Sequence, residues 1–134
     1  MALDLAALAT LLPSAIAWAE SLAAEAAVTG AALSPADAEL ATAVGVRRPD
    51  LVRVKIVPQL PLPDEPAARS AALDAGLLGP TMIGLTLGYG IYIREGHLTA
   101  RLLSHECRHV SQYETAGSIA AFLPVYLAQI LTYG

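Results

Sequence analysis

A five-residue motif, HExxH at residues 105–109, constrains this chain more than any other feature. In a helix, residues that are four apart fall within about 40° of each other, because the helix turns by about 100° per residue. His105 and His109 can then reach one metal ion from the same face. Glu106 lies about 100° round the same turn, close enough to contact a water at the metal without binding the metal. The motif therefore predicts a helix with one face open to a site.

Two histidine nitrogens, an open coordination position and a carboxylate base are the parts of a zinc hydrolase site. We therefore predict that His105 and His109 bind Zn²⁺ and that Glu106 is the general base. The alternative is a surface helix with two solvated histidines. The neighbouring sequence favours the site, because residues 100–104 are good helix formers and Gly117 supplies a helix stop. Cys107 lies on the reverse side of the helix and is expected in the core.

Composition limits the number of domains and the functional classes that this chain can belong to. The chain has 134 residues, which is the size of one domain, and 55% of them are hydrophobic. The net charge of −4 gives no electrostatic reason to bind nucleic acid. A single cysteine cannot form an internal disulfide. Residues 1–46 contain no Lys or Arg, so a secretory signal is not expected, and we predict a cytoplasmic protein without a transmembrane helix.

Periodicity, caps and turn residues predict an α+β fold in a single domain, 1–134, with a helical N-terminal part over 1–48. The part over 50–134 holds the sheet, the motif helix and a C-terminal helix. A proline-rich bend over residues 58–66 is expected to run extended along the surface. The predicted helices cover residues 13–28, 34–45, 66–75, 98–116 and 118–133, and the predicted strands cover 51–57, 82–87 and 90–94, the last two as a hairpin.

The order of a small sheet, the HExxH helix and a further helix resembles small bacterial zincin-like metallopeptidases of gluzincin type. Gln112-Tyr113, Gly117, the apolar run 122–131 and the segments 84–88 and 91–94 carry the resemblance, which covers about residues 50–134. It implies a small zincin-like domain, with a short antiparallel or mixed sheet packed on the motif helix. It also implies a zinc cofactor held by His105 and His109 with Glu106 as the base, but no known substrate. The mechanism of such a site predicts a peptide or protein substrate, which could pair with the edge of the 82–94 hairpin.

A zincin needs a third protein ligand. The metzincin pattern requires Gly at 112 and His at 115, and this chain has Gln112 and Thr115, so that class is excluded. Glu114 lies about 180° from His105 on an unbroken helix and should face away from the metal. The candidates that remain are His97, in the turn before the motif helix, and a residue beyond 134.

Two residues beyond the motif are further candidates. Gln112 and Tyr113 lie near the line of the two histidines, where they could orient a ligand or stabilise an oxyanion. Plain hydrogen bonding at the helix surface explains both residues equally well.

Two classes compete with the peptidase. One is a catalytically inactive zinc-binding or protein-interaction domain that lacks a third ligand. Its apolar C-terminal helix would dock on a partner or on a second copy of the chain. The other is a membrane-associated module, which would expose the apolar face over residues 122–131. We do not expect membrane contact, because that run contains Pro124 and Gln129.

Overall fold

The computed structural model describes residues 5–74 and 82–133, and over these residues the chain is α+β. Five α-helices, one 3₁₀ turn and one four-stranded sheet are present in the described part. Their bounds are α1 Leu5–Thr29, β1 Ala31–Ala32, α2 Pro35–Ala43, the 3₁₀ turn Pro49–Leu51, β2 Arg53–Val57, α3 Pro66–Asp74, β3 Gly84–Leu87, β4 Gly90–Arg94, α4 Ala100–Ala116 and α5 Ile119–Tyr133.

The sheet is mixed, with the strand order β1-β2-β4-β3. Strand β2 runs parallel to β4, whereas the β1–β2 and β3–β4 pairs are antiparallel. The predicted hairpin is confirmed: β3 and β4 are joined through Gly88, whose φ of 64° suits a residue without a Cβ. Strand β3 consequently lies at one edge of the sheet.

Helices cover both faces of the sheet because its side chains are apolar on both sides. Leu85, Leu87 and Tyr92 belong to one core cluster, which also contains residues of α1 and α5. Ile91 and Ile93 belong to the other cluster, with residues of α2 and α4. The pairing register places Thr86 opposite Ile91, so Thr86 faces α4. The motif helix therefore lies against the edge hairpin.

Local signals fix the motif helix at both ends. The Thr99 side chain accepts a hydrogen bond from the Leu102 amide, and Gly117 ends the helix with φ 97°. Leu103, Cys107 and Val110 recur at helical spacing and are buried against the sheet. The prediction that Cys107 is a core residue is confirmed, and burial raises the pKa of its thiol to about 11.

Several predicted boundaries were wrong. Helix α1 begins at Leu5 and contains Pro13 rather than starting there, since its apolar face packs on the core on both sides of the proline. The motif helix starts at Ala100 instead of 98, because Thr99 caps it. The pairing of Ala31–Ala32 with β2 was not predicted. The predicted helix end beyond Asp74 lies outside the described residues.

Strand β2 is less regular than its sequence suggests. It begins at Arg53 because the 3₁₀ turn occupies the residues before it. The alternation of residue types predicts that Val52, Val54 and Ile56 share the buried face of this strand, opposite Arg53 and Lys55. Val52 is buried as this pattern predicts, but Ile56 is 44% exposed. Lys55 pairs with Glu25 of α1 at 2.7 Å.

The two apolar helices differ in their burial. Helix α5 buries Phe122, Leu123, Tyr126 and Leu127, the face that membrane docking would have to expose. In the described part, the length and apolar composition of the segment Ala9–Thr29 would allow it to span a membrane. Of its most apolar 18-residue stretch, 11% is buried within the protein.

Candidate metal centre

A pocket of about 360 Å³ opens between β3, α4 and α5, and it contains the whole motif triplet. His105, Glu106 and His109 line it from α4, and Tyr126 and Gln129 line it from α5. Met82, Ile83, Gly84, Leu102 and Ile130 complete the wall. The motif therefore lies in a cleft beside the sheet edge and not on an open helix surface.

The two histidine rings lie together as the motif predicts. Their centroids are 5.0 Å apart, and the ring planes are nearly perpendicular, at 86°. Two imidazoles that share a tetrahedral zinc, at a Zn–N distance of about 2.1 Å, have centroids roughly 5 Å apart. The arrangement of His105 and His109 thus fits a shared zinc ion.

Gln112 orients one of these rings. Its Oε1 lies 2.8 Å from His109 Nδ1, so the ring donates its Nδ1 proton to the amide oxygen and keeps the Nε2 lone pair for a metal. Burial lowers the pKa of His109, which favours the neutral imidazole that metal binding requires. Both the orienting role and plain hydrogen bonding at the helix surface predict this contact between Gln112 and His109.

Glu106 is held against the edge strand. Glu106 is buried, with 4% of the residue exposed. Its Oε1 accepts a hydrogen bond of 2.7 Å from the Thr86 hydroxyl. Gly84 leaves the space for the other oxygen, since a Cβ there would lie 2.8 Å from Glu106 Oε2. Thr86 and Gly84 thus form a cradle on β3 that fixes the direction of the carboxylate.

Tyr126 connects α5 to both the motif helix and the edge strand. Its ring lies 4.8 Å from the His109 ring, and its hydroxyl accepts a hydrogen bond of 2.9 Å from the Thr86 amide. Burial raises the pKa of this phenol well above its usual range, so it stays neutral. The residue packs against one predicted ligand and covers part of the edge of β3.

Three predicted or considered residues lie elsewhere. His97 is exposed in the turn after β4 and does not line the pocket. The Tyr113 hydroxyl is buried without a hydrogen-bond partner among the described residues, and its ring packs on Phe122. Glu114 faces away from the pocket, as the helical angle predicts. It accepts hydrogen bonds from the main-chain amides of Arg47 and Arg48.

Within the described part of the chain, no third side chain of the usual ligand types completes a metal-binding group with the two histidines. Over residues 5–74 and 82–133, no three His, Cys, Asp or Glu side chains come close enough to hold a metal together. The other predicted source, a residue beyond 134, lies outside the described residues.

The sequence reasoning missed three residues of the site. Thr86 is a polar residue inside an otherwise apolar strand, and Tyr126 and Gln129 are polar groups in an apolar helix. Such residues in apolar elements are a usable signal, because a buried polar group needs a partner. The sequence could not show, however, that all three lie beside the motif.

Comparison with protein-family models, curated proteins and solved structures finds no match for this chain. The resemblance to zincin-like metallopeptidases therefore stays a prediction.

Proposed function

We propose that this protein is a zinc-dependent metallopeptidase of the zincin-like type. The observation that carries the proposal is the placement of Glu106, buried and held by Thr86, in the same pocket as two histidines whose rings fit one zinc ion. A carboxylate that is fixed beside a paired-histidine site has the position of a general base.

His105 and His109 would hold the metal, with Gln112 orienting His109. When bound, zinc supplies a Lewis acid and lowers the pKa of a water to about 7. Glu106 takes a proton from the attacking water and passes it to the leaving amine of the substrate. Because the Thr86 hydroxyl donates to Oε1, the other oxygen, Oε2, is the one left to move the proton.

The substrate class follows from the sheet edge. Arg94 donates its amide to the Ile83 carbonyl, so the alternation of an antiparallel ladder turns the main-chain groups of Gly84 and Thr86 to the outer side. An extended peptide can add to this edge and pass in front of the pocket. Tyr126 already accepts from the Thr86 amide, so in the described part of this edge the main-chain groups of Gly84 are the ones left for pairing. A peptide or protein is therefore the proposed substrate.

One earlier expectation changes within this proposal, and another is kept. Tyr126 lines the pocket and the Tyr113 hydroxyl does not, so Tyr126 is the tyrosine that can contact a substrate oxyanion. A cytoplasmic location is also part of the proposal, and its support is that the one cysteine, Cys107, is a buried free thiol.

One observation favours a second candidate, a zinc-binding or protein-interaction domain without catalysis. The described residues contain no group of three His, Cys, Asp or Glu side chains that could hold a metal together. Such a domain would keep the histidine pair and the pocket but cleave no peptide. Self-association through α5 has less support, because Phe122, Leu123, Tyr126 and Leu127 are buried within the chain.

The proposal is tested by incubating the zinc-supplied protein with a diverse peptide library and identifying products by mass spectrometry. Cleavage should stop with a chelator and return with zinc. The Glu106→Gln variant should lose about 10²–10⁴-fold in rate, which is the usual contribution of a general base. Glu95→Gln, a change in an exposed turn, is the matched control and should cleave at the wild-type rate.

Equal cleavage by Glu106→Gln and wild type would mean that another site or a contaminant cuts the peptides. Zinc binding without cleavage of any peptide would favour the non-catalytic zinc domain.

A further inference from the structure

The helix that follows the motif brings one polar side chain to the histidine pair. Among residues 119–130 of α5, Gln129 is the one side chain that carries an amide or a charge, and it lines the same pocket as His105 and His109. Every other pocket residue from α5 is aromatic or aliphatic. Gln129 is partly buried, and its amide is a polar group among the apolar side chains that α5 contributes to this wall.

The packing of α4 against α5 explains why Gln129 arrives there. The ring of Tyr113 lies 4.8 Å from Phe122, and the ring of His109 lies 4.8 Å from Tyr126. The step from Tyr113 to His109 runs one turn back along α4, whereas the step from Phe122 to Tyr126 runs one turn forward along α5. The two helices are therefore antiparallel. The next step pairs His105 with the turn that contains Gln129.

We propose that Gln129 is the third protein ligand of the metal site and binds zinc through its amide oxygen. This inference rests on the proposed function, since it needs the metal to be held by His105 and His109. It assigns the ligand to neither of the two sources that the sequence suggested. A carbonyl oxygen is a neutral donor, weaker for zinc than a carboxylate.

A neutral third ligand determines how tightly the site binds zinc. The protein binds zinc less tightly than a site with two histidines and a carboxylate ligand, because an amide oxygen adds no negative charge to the ligand set. The Gln129→Glu variant adds that charge at nearly constant side-chain size, so it should tighten zinc binding. The Gln129→Leu variant removes the donor oxygen and should weaken zinc binding.

Zinc dissociation constants, measured by competition with a chromophoric chelator, test the assignment without any need for catalysis. We expect Gln129→Glu to bind at least about tenfold more tightly than wild type, and Gln129→Leu at least about tenfold more weakly. Gln59→Glu and Gln59→Leu, made at an exposed position of the proline-rich bend, are the matched controls and should equal wild type. Misfolding cannot produce tighter binding, so Gln129→Glu remains informative even if Gln129→Leu loses stability.

Cobalt(II) supplied in place of zinc gives a second readout. Its visible absorption bands should change in Gln129→Glu and stay as in wild type in Gln59→Glu, because only the first exchanges a metal ligand.

The outcomes separate the two proposals. Zinc affinity that depends on His109 but is the same in wild type, Gln129→Glu and Gln129→Leu would overturn the ligand assignment and leave the metal site intact. Tight binding by Gln129→Glu that is lost on adding His109→Ala would support the assignment even if wild type binds zinc weakly. Absence of zinc binding from every variant, Gln129→Glu included, would overturn both.

Discussion

Thr86 of the edge strand donates its hydroxyl to Glu106 Oε1 at 2.7 Å, which joins the sheet to the motif helix at the proposed general base. Thr86 is fully buried, and Glu106 is nearly so. The strand therefore contributes to the site as well as to the core, and a change in β3 should alter the behaviour of Glu106.

The Thr86→Val variant should lower the free energy of unfolding by about 1–3 kcal/mol, because it keeps the side-chain shape but leaves a buried carboxylate without its donor. Urea unfolding monitored by circular dichroism measures this loss. Thr115→Val is the matched control. The Thr115 hydroxyl bonds a main-chain oxygen at an exposed position, and its loss should stay within about 0.5 kcal/mol. Equal losses in the two variants would contradict a special role for the Thr86–Glu106 bond.

The Gly84→Ala variant should force the Glu106 carboxylate out of its cradle, since the new Cβ would lie 2.8 Å from Oε2. We expect a cost of about 1–3 kcal/mol in the free energy of unfolding, the usual range for overpacking. The same change in a Glu106→Ala background should cost much less, because the obstructing atoms are gone. A cost that is independent of the residue at 106 would show that the strand itself, and not the carboxylate, rejects the larger residue.

The Gln112→Leu variant should weaken zinc binding by about 10–100-fold, the usual effect of losing a partner that orients a ligand histidine. The reason is the 2.8 Å contact between Gln112 Oε1 and His109 Nδ1, which fixes the ring and its proton. Chelator competition measures the change, and Gln59→Leu should show none. Unchanged affinity in Gln112→Leu would mean that packing against Tyr126 is sufficient to orient His109.

The stability of the fold should fall as tyrosines ionise at alkaline pH. Burial, together with the hydrogen bond and charge of Glu114, raises the pKa of Tyr89 to about 12. A folded-state pKa above the unfolded value of about 10 gives stability that is complete below pH 10 and is lost as pH approaches 12. Urea unfolding across this window should show a shallower fall for Tyr89→Phe than for wild type. Identical slopes would show that Tyr89 ionises equally easily in both states.

The sequence predicted the elements of this fold well where local chemistry decides them. The Ser34 cap, the glycine stop at Gly117 and the tight turn at Gly88 were each readable from residue type. The failures arise where tertiary packing overrides a local signal. Pro13 suggested a helix start, but apolar contacts on both sides of it keep α1 continuous.

The sequence likewise predicted only those residues of the candidate site that local structure determines. The spacing within the motif was sufficient to place His105, Glu106 and His109 together, because one helix determines it. Thr86 and Gln129 come from a strand and a later helix, and their approach depends on how β3 and α5 pack against α4. His97 is close to the motif in the chain but lies in an exposed turn outside the pocket. Proximity in sequence therefore did not place His97 in the pocket.

The most direct test of the central claim is the zinc content of the purified protein, measured by elemental analysis after zinc has been supplied and the excess removed. We predict about one zinc per chain in wild type and in Glu106→Gln, and none in His109→Ala, because Glu106 is the base and His109 a ligand. No zinc in wild type, or equal zinc in His109→Ala, would contradict the account.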